Sequence, residues 1–359
     1  MHLQSLDLLS YKNIQQASYE FDPKINAFVG NNGTGKTNTL DAIYHLSFGK
    51  SYFNPVTVQN INHEADFFLL DGRYAVNEKE ARVTVSAKRG NKKMIKYNGK
   101  VYEKLSEHIG RLPLVIISPA DRDLITEGSE GRRKFMDAVI SQGSGSYLND
   151  LVAYTRLLSQ RNALLKHFAA EGKWDIANLV IYDEQMAPLA ASIYTARKTF
   201  LDEFSPLVQA RYNELAGSHE TCGLEYRSDL ATSSLLPILE YNRLRDRQLS
   251  YTSKGVHKDD LVFELNGHSV KKFGSQGQQK SYLVALKLAQ LEFTKRHSGL
   301  TPILLLDDIF DKLDESRVEQ LLNMVNRDEF GQIFISDTHA SRTREVIAST
   351  HLSHKIFEL

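Results

Sequence analysis

Eight consecutive residues, Gly30-Asn31-Asn32-Gly33-Thr34-Gly35-Lys36-Thr37, satisfy the pattern G-x-x-x-x-G-K-[ST] at every constrained position. Backbone N–H groups of such a loop wrap the phosphates of a nucleotide, and glycines let the main chain approach without a Cβ in the way. The positive end of the following helix adds attraction for anions. Lys36 can then reach the β- and γ-phosphates, and the Thr37 hydroxyl can ligate Mg²⁺. A glycine turn that merely caps a helix needs neither side chain. The elements that must position the loop are legible beside it. Ile25-Asn26-Ala27-Phe28-Val29 reads as a short apolar strand and Thr39 to Tyr44 as an amphipathic helix. Strand, glycine loop and helix in that order separate a phosphate loop from a chance match.

A second cluster lies far downstream. Ile303-Leu304-Leu305-Leu306 fits a strand buried on both faces of a parallel sheet. Asp307-Asp308 would emerge at its C-terminal end, where open α/β sheets bind ligands. Asp307 suits Mg²⁺ held through its water shell, and Asp308 suits orientation or deprotonation of an attacking water. A third motif, Phe273-Gly274-Ser275-Gln276-Gly277-Gln278-Gln279-Lys280, opens a helical run about 30 residues before that strand. This is the layout of an ABC-type signature, in which Ser275 and the helix N-terminus would meet a γ-phosphate. Such signatures act in trans, so two subunits sandwich ATP. A plain N-cap at Ser275 with Gly277 in the turn is the simpler alternative. Phe310-Asp311-Lys312-Leu313-Asp314 follows the acidic strand where such ATPases touch the opposite subunit. Gln332 to Ser336 reads as another buried strand, ending at Asp337-Thr338-His339, where His339 could sense the γ-phosphate.

Composition narrows the class. The chain has 359 residues, 42% hydrophobic and 25% charged, so a normal globular core is expected. Lys plus Arg and Asp plus Glu both number 44, giving formal net charge +0, so any nucleic-acid surface must be a local patch. Cys222 is the only cysteine, which excludes an intramolecular disulfide. No signal peptide is evident, and no apolar stretch reaches the roughly 18 residues of a membrane span, so a cytoplasmic protein without membrane attachment is expected.

Leu3 to Phe21 alternates as edge strands around a turn at Tyr11-Lys12-Asn13. Phe67 to Tyr102 reads as antiparallel strands with a hairpin at Asn98-Gly99. Lys88, Arg89, Lys92, Lys93, Lys96 and Lys100 make this stretch basic; a solvated edge hairpin is the preferred reading, a phosphate-backbone contact the other. Leu114 to Ile117 is a buried strand, and a helix opens near Glu130-Gly131-Arg132-Arg133-Lys134. From there to about Tyr251 the pattern is helical. Leu148, Leu151, Val152, Leu157, Leu158, Leu164, Leu165 and Phe168 form one stripe, and Ile176 to Val208 carries another. Two long antiparallel helices follow, with Arg156, Arg161 and Lys166 on a solvated outer face. Leu261 to Val270 is a second hairpin.

Taken together, the chain resembles the RecF family of bacterial recombination and repair ATPases, relatives of the SMC proteins. The likeness rests on Tyr11-Lys12-Asn13, the phosphate loop continuing through Asn38 and Leu40 to Ala42-Ile43, Ser118-Pro119-Ala120-Asp121, Gly131 to Asp137, Gly255-Val256-His257-Lys258-Asp259-Asp260-Leu261, Gly274 to Lys280, and Leu305 to Asp308. It implies an α/β fold: an ABC-type P-loop ATPase lobe with a mixed sheet and an inserted helical, coiled-coil-hairpin second lobe. The implied division is 1–125 and 251–359 for the ATPase lobe and 126–250 for the insertion. The implied ATP site comprises Lys12, Asn13, Gly30, Asn31, Asn32, Gly33, Thr34, Gly35, Lys36, Thr37, Asn38, Ser275, Gly277 and Gln278. Lys36, Asp307, Asp308 and His339 are the catalytic set, and Thr37 and Asp307 hold Mg²⁺. The loop at Asp121 to Asp123 lacks the metal-contacting glutamine of related ATPases.

The resemblance further implies an ATP-dependent homodimer on double-stranded DNA and at single/double-strand junctions. It implies action with RecR and RecO in loading RecA at gaps. Aspartate at 308 is one methylene shorter than the usual glutamate, so hydrolysis is expected to be slow, below the ~10 s⁻¹ median of enzymes. Two alternatives stand beside this: the nucleotide-binding subunit of a membrane transporter, and a regulatory protein that binds ATP without turnover. The helical insert argues against the transporter.

Overall fold

Residues 1–217, 220–308 and 330–359 are described by the structure, a computed structural model. The alternating N-terminal run forms β1 (His2–Tyr11) and returns as β2 (Ile14–Glu20). β3 (Ile25–Val29), every residue buried, leads into the glycine loop and helix α1 (Lys36–Phe48). β4 (Phe67–Val76) and β5 (Lys79–Lys88) pair about Asn77 and Glu78, whose φ values of 49° and 64° are those of a tight hairpin turn. β6 (Met94–Tyr97) and β7 (Lys100–Val101) turn at the expected Asn98-Gly99, and β8 (Leu114–Ile117) is buried throughout.

A helical stretch follows: α2 (Asp123–Thr126), α3 (Ser129–Gly143), α4 (Gly145–Glu171) and α5 (Ile176–Ala216). Then come β9 (Cys222–Arg227), α6 (Leu235–Leu249), β10 (Asp260–Leu265), β11 (His268–Ser269), α7 (Val270–Phe273) and α8 (Gln276–Ser298). β12 (Ile303–Leu306), β13 (Ile333–Asp337), α9 (Ala340–Ser349) and β14 (His354–Glu358) complete the described chain.

Two units result. The first draws on Met1–Arg122, Arg211–Gly217 and the described part of Lys280–Leu359; the second on Asp123–Ala210 and the described part of Ser218–Gln279. Residues 251–279 therefore group with the helices here, whereas the sequence reading assigns them to the ATPase lobe.

In the first unit six antiparallel strands run β2-β1-β4-β5-β6-β7, and five parallel strands run β14-β3-β13-β12-β8. β2 is an edge as expected, but β1 is interior because β4 pairs along its other side. α1 contacts β1, β4 and β5 of one sheet and β8 and β13 of the other. It is therefore buried from Thr39 to Phe48 rather than amphipathic. Its Leu40, Ile43 and Leu46 join Leu6, Leu8, Phe68, Val83 and Phe334 in one core. Polar groups on such a helix must find partners inside the protein, and Asp41 does so below.

In the second unit α4 and α5 lie antiparallel: Arg161 meets Asp183 at 2.6 Å and Asp150 meets Ser192 at 2.6 Å. The expected stripe is the buried face of α4 only at Leu165 and Phe168; its other leucines are half-buried. Tyr147, Tyr154, Arg161, Leu165 and Phe168 are buried, while Val152 is 55% exposed. Arg161 is thus not on an outer face. It is 0% exposed, held by Asp183 at 2.6 Å, Asp246 at 2.7 Å and the Thr252 hydroxyl at 2.8 Å. β9 falls where the pattern reads as helical. It is a strand because β10 pairs with it from Asp260↔Arg227 to Leu265↔Cys222, a partner nearly 40 residues away. The Gly255-to-Asp260 motif packs inside this unit: Arg197 donates to Val256 O and Asp259, and Arg132 binds both oxygens of Asp260. Arg132 and Arg133, the latter bonded to Ser129 Oγ and Asp259 O, are thereby engaged within the fold.

Candidate nucleotide site

The five parallel strands point β3 and β12 the same way, with β13 between them. Their C-terminal ends carry the glycine loop and the Asp307-Asp308 pair. Gly33 and Gly35 take φ of 86° and 109°, a left-handed backbone that a side chain would resist, and so the loop curls over the start of α1. Asn31 to Thr34 are exposed while Gly35 and Lys36 are buried, leaving an open mouth above a fixed base.

The two motifs meet directly. Thr37 Oγ1 donates to Asp307 Oδ1 at 2.9 Å. Ser336, at the end of β13, donates to the same oxygen at 2.7 Å and accepts from Asp308 N at 3.0 Å. Burial holds the Asp307 pKa above its ordinary value; the bonds from Ser336 and Thr37 oppose that, and the nearby Asp308 and Asp41 charges reinforce it. Asp308 has φ 46°, a conformation that aspartate tolerates better than longer side chains do. Lys36 Nζ donates to the loop carbonyls of Gly30 at 2.7 Å and Asn31 at 2.8 Å. The ammonium thus sits within the loop, where an anion would meet it.

A second pair of contacts leaves the other side. Asn38 Nδ2 donates to Asn13 Oδ1 at 2.7 Å, and Asn13 Nδ2 donates to Gly33 O at 2.8 Å. Asn13 therefore braces the loop. Lys12, expected among the ATP contacts, has its ammonium 2.5 Å from Asp41 of α1. Asp41 is fully buried and also accepts from Tyr11 Oη at 2.8 Å, Ser51 Oγ at 2.6 Å and the Tyr52 backbone N–H at 2.7 Å.

The connection continues through Tyr52, whose hydroxyl donates to Asp121 at 2.5 Å. Asp121 also accepts from Ser118 N–H at 2.7 Å and pairs with Lys287 of α8 at 2.6 Å. Asp121 occupies the loop that lacks the expected glutamine, and it is spent on this buried network. Asp41, Tyr52 and Lys287 escaped the sequence reading as site residues; Asp121 and Ser336 were named in it, as part of a family motif and as a strand end, but without these partners.

His339 is exposed two residues beyond β13, with Nδ1 2.9 Å from Thr338 Oγ1. β13 is hydrogen-bonded to β3, and Gly30 N–H donates to Asp337 O at 3.3 Å. The loop Phe310 to Asp314 lies outside the described residues.

The glycine- and glutamine-rich motif belongs to the second unit up to Gln279. Ser275 and Gln278 form a reciprocal cap: Gln278 N–H donates to Ser275 Oγ at 3.2 Å, and Ser275 N–H donates to Gln278 Oε1 at 2.8 Å. Gln278 Nε2 donates to Glu220 at 2.6 Å, so both ends of its amide are engaged. Gly277 sits in the first turn of α8. In the basic hairpin, Lys93 donates to Gly49 O and burial lowers its pKa, while Lys88, Lys92 and Lys100 are exposed.

The family model described as RecF/RecN/SMC N terminal domain matches residues 2–355. The DNA replication and repair protein RecF of Flavobacterium johnsoniae is 56% identical over 359 residues, 100% of each chain. A solved structure of the recombination mediator protein RecF-ATP in the RecFOR pathway is similar with TM-score 0.88 at 30% identity, covering 94% of this chain and 92% of that one. The Smc head domain derived from Pyrococcus furiosus shares the fold alone, with TM-score 0.57 at 15% identity over 99% of this chain and 93% of that one.

Proposed function

The chain belongs to the RecF family, within the RecF/RecN/SMC N-terminal-domain proteins, and from that premise we propose that it is an ATP-gated, DNA-binding switch of recombinational repair and replication-fork maintenance. The observation that carries this reading is the 2.9 Å contact between Thr37 and Asp307, which joins the phosphate loop to the acidic strand.

Lys36 gives up Gly30 O and Asn31 O to bind the β- and γ-phosphates. Asn31 to Gly35 cradle the phosphates with their N–H groups, and Asn13 and Asn38 keep the loop in shape. Thr37 Oγ1 and Asp307 Oδ1 are hard oxygen donors of the kind Mg²⁺ prefers, and they would hold it together with the phosphates. The ion's chemistry there is neutralisation of phosphate charge. Asp308 orients the attacking water, and His339 senses the γ-phosphate.

Ser275 and the first turn of α8, around Gly277, serve the γ-phosphate bound by a second copy of the chain. The site is complete only in a homodimer. Double-stranded DNA and single/double-strand junctions are held by the dimer, with RecR, RecO and RecA as partners in the cytoplasm. Slow hydrolysis, stimulated by DNA, resets the switch.

Light scattering with and without ATP and duplex DNA, at two salt concentrations, tests this. Dimers that need both ATP and an intact Lys36, and DNA binding that weakens steeply with salt, are expected. A monomer under every condition would end the proposal.

A further inference from the structure

Ser275 is exposed, as a hydroxyl that serves a second copy must be, while Gln278 and Gln279 of the same motif are half-buried. Gln279 Nε2 donates to Val270 O at 3.2 Å and Gly274 O at 3.1 Å, stapling the turn between α7 and α8 from one side. A Cβ on Gly274 would lie 2.7 Å from Val270 O, so the turn is closed too tightly for a side chain there. Gln278 works from the other side. Its Oε1 accepts from Ser275 N–H at 2.8 Å, and its Nε2 donates to Glu220 at 2.6 Å.

Glu220 is presented from a fixed backbone. Gln209 of α5 donates through Nε2 to Glu220 O at 3.0 Å and accepts through Oε1 from Cys222 N–H at 2.7 Å. Between them, Thr221 N–H donates to Asn266 Oδ1 at 2.8 Å, and Thr221 O accepts from Asn266 N–H at 2.8 Å. The carboxylate then decides which way an amide faces. A carboxamide has a donating end and an accepting end and can turn end for end. A carboxylate only accepts, so Glu220 takes the NH2 end of Gln278 and leaves its oxygen for Ser275 N–H. The bond to Glu220 is charge-assisted and stronger than the neutral bond it dictates. With the amide reversed, two N–H donors would face each other at Ser275 and the cap would open.

Resting on the ATP-sandwich reading above, we infer that Glu220 is a positioning residue of the signature motif: it fixes the Gln278 amide, which holds Ser275 toward the γ-phosphate bound by a second copy of the chain. Glu220 thus serves the nucleotide of the opposite copy. ATP capture by its own chain uses Lys36 and Thr37 instead, so loss of Glu220 weakens assembly and leaves that capture intact. A carboxylate that acted only by repelling the incoming triphosphate would have the opposite sign, its loss tightening the dimer.

Light scattering against protein concentration in saturating Mg-ATP gives the dimer dissociation constant. Calorimetric titration with Mg-ATP below that concentration gives the affinity of the single chain. Glu220→Ala is expected to weaken the dimer at least about tenfold. Its single-chain ATP affinity should stay within about twofold of wild type, which also reports an intact fold. Glu220→Gln offers an amide oxygen to the same Nε2 and should restore most of the loss. A wild-type or tighter dimer in Glu220→Ala overturns the inference. So does a glutamine variant as weak as alanine, or a matching loss of single-chain ATP affinity. A wild type that binds ATP and stays monomeric overturns the sandwich reading itself, a distinct result.

Discussion

Thr37 Oγ1 donates to Asp307 Oδ1 at 2.9 Å although 270 positions separate the two residues. Neither strand end touches the other directly, because β13 runs between β3 and β12. Ser336 of β13 closes the gap by donating to the same Asp307 oxygen at 2.7 Å. Two hydroxyls thus hold a carboxylate that burial disfavours.

That cost is testable by pH. A carboxyl whose folded pKa lies above its unfolded one stabilises the fold below the unfolded pKa, and that stability is lost as pH rises through the folded pKa. Asp307→Asn keeps the Oδ1 acceptor and cannot ionise. Without nucleotide, the variant is expected to melt higher than wild type near pH 8, with the gap closing toward ~pH 4. Mg-dependent ATP binding should be lost at every pH. Thermal melts across that range check it; a variant less stable than wild type near pH 8 contradicts the account.

What was legible in the chain was local. The strand, glycine loop and helix are contiguous, and four aliphatics before two aspartates need no distant partner to be read. What was not legible depends on partners remote in sequence. Arg161 looks like a solvated cation until Asp183 and Asp246 surround it. Asp41 looks like the polar side of an amphipathic helix until a second sheet covers α1 and Lys12 arrives from the turn after β1. Cys222–Arg227 becomes a strand only through β10.

Arg161 carries its own prediction. Arg161→Met removes the cation and leaves two buried carboxylates facing each other. A loss of roughly 3–5 kcal/mol is expected, as for one partner of a buried ion pair. Restoring balance with Asp183→Asn and Asp246→Asn in the same chain should recover a large part. Denaturant unfolding measures both, and an additive triple variant would show that the three groups are not coupled.

Lys36 is held by two loop carbonyls, so its removal empties the loop of charge without disturbing α1. Lys36→Ala should bind ATP at least tenfold more weakly, since charge-assisted bonds of about 1.5–3 kcal/mol are lost. Its melting temperature without ATP should stay within a few degrees of wild type. ATP-dependent dimerisation should disappear with the affinity. Isothermal titration and light scattering on the same sample decide whether binding and assembly fall together.

Asp308 sits at φ 46°, where an aspartate is tolerated more readily than a glutamate. The backbone therefore favours the shorter acid that is expected to hold water loosely. Asp308→Glu should cost about 1 kcal/mol of stability and hydrolyse ATP faster than wild type. Asp308→Asn should bind ATP and keep the dimer on DNA. Single-turnover hydrolysis measures the first effect; a slower Asp308→Glu enzyme would remove side-chain reach as the cause of slow turnover.

Ser275 has two separable duties. Its hydroxyl caps α8 by accepting from Gln278 N–H at 3.2 Å, and in the proposed dimer it also serves a γ-phosphate. Ser275→Ala loses both, costing about 1 kcal/mol through the missing cap. Ser275→Asn restores an N-cap acceptor of comparable quality while replacing the hydroxyl with a bulkier amide. If capping alone matters, the asparagine variant should recover stability and ATP-dependent dimerisation together. If the hydroxyl works on the second subunit, stability returns and dimerisation does not. Thermal melts paired with light scattering in ATP separate the two, and the second pattern is the one expected.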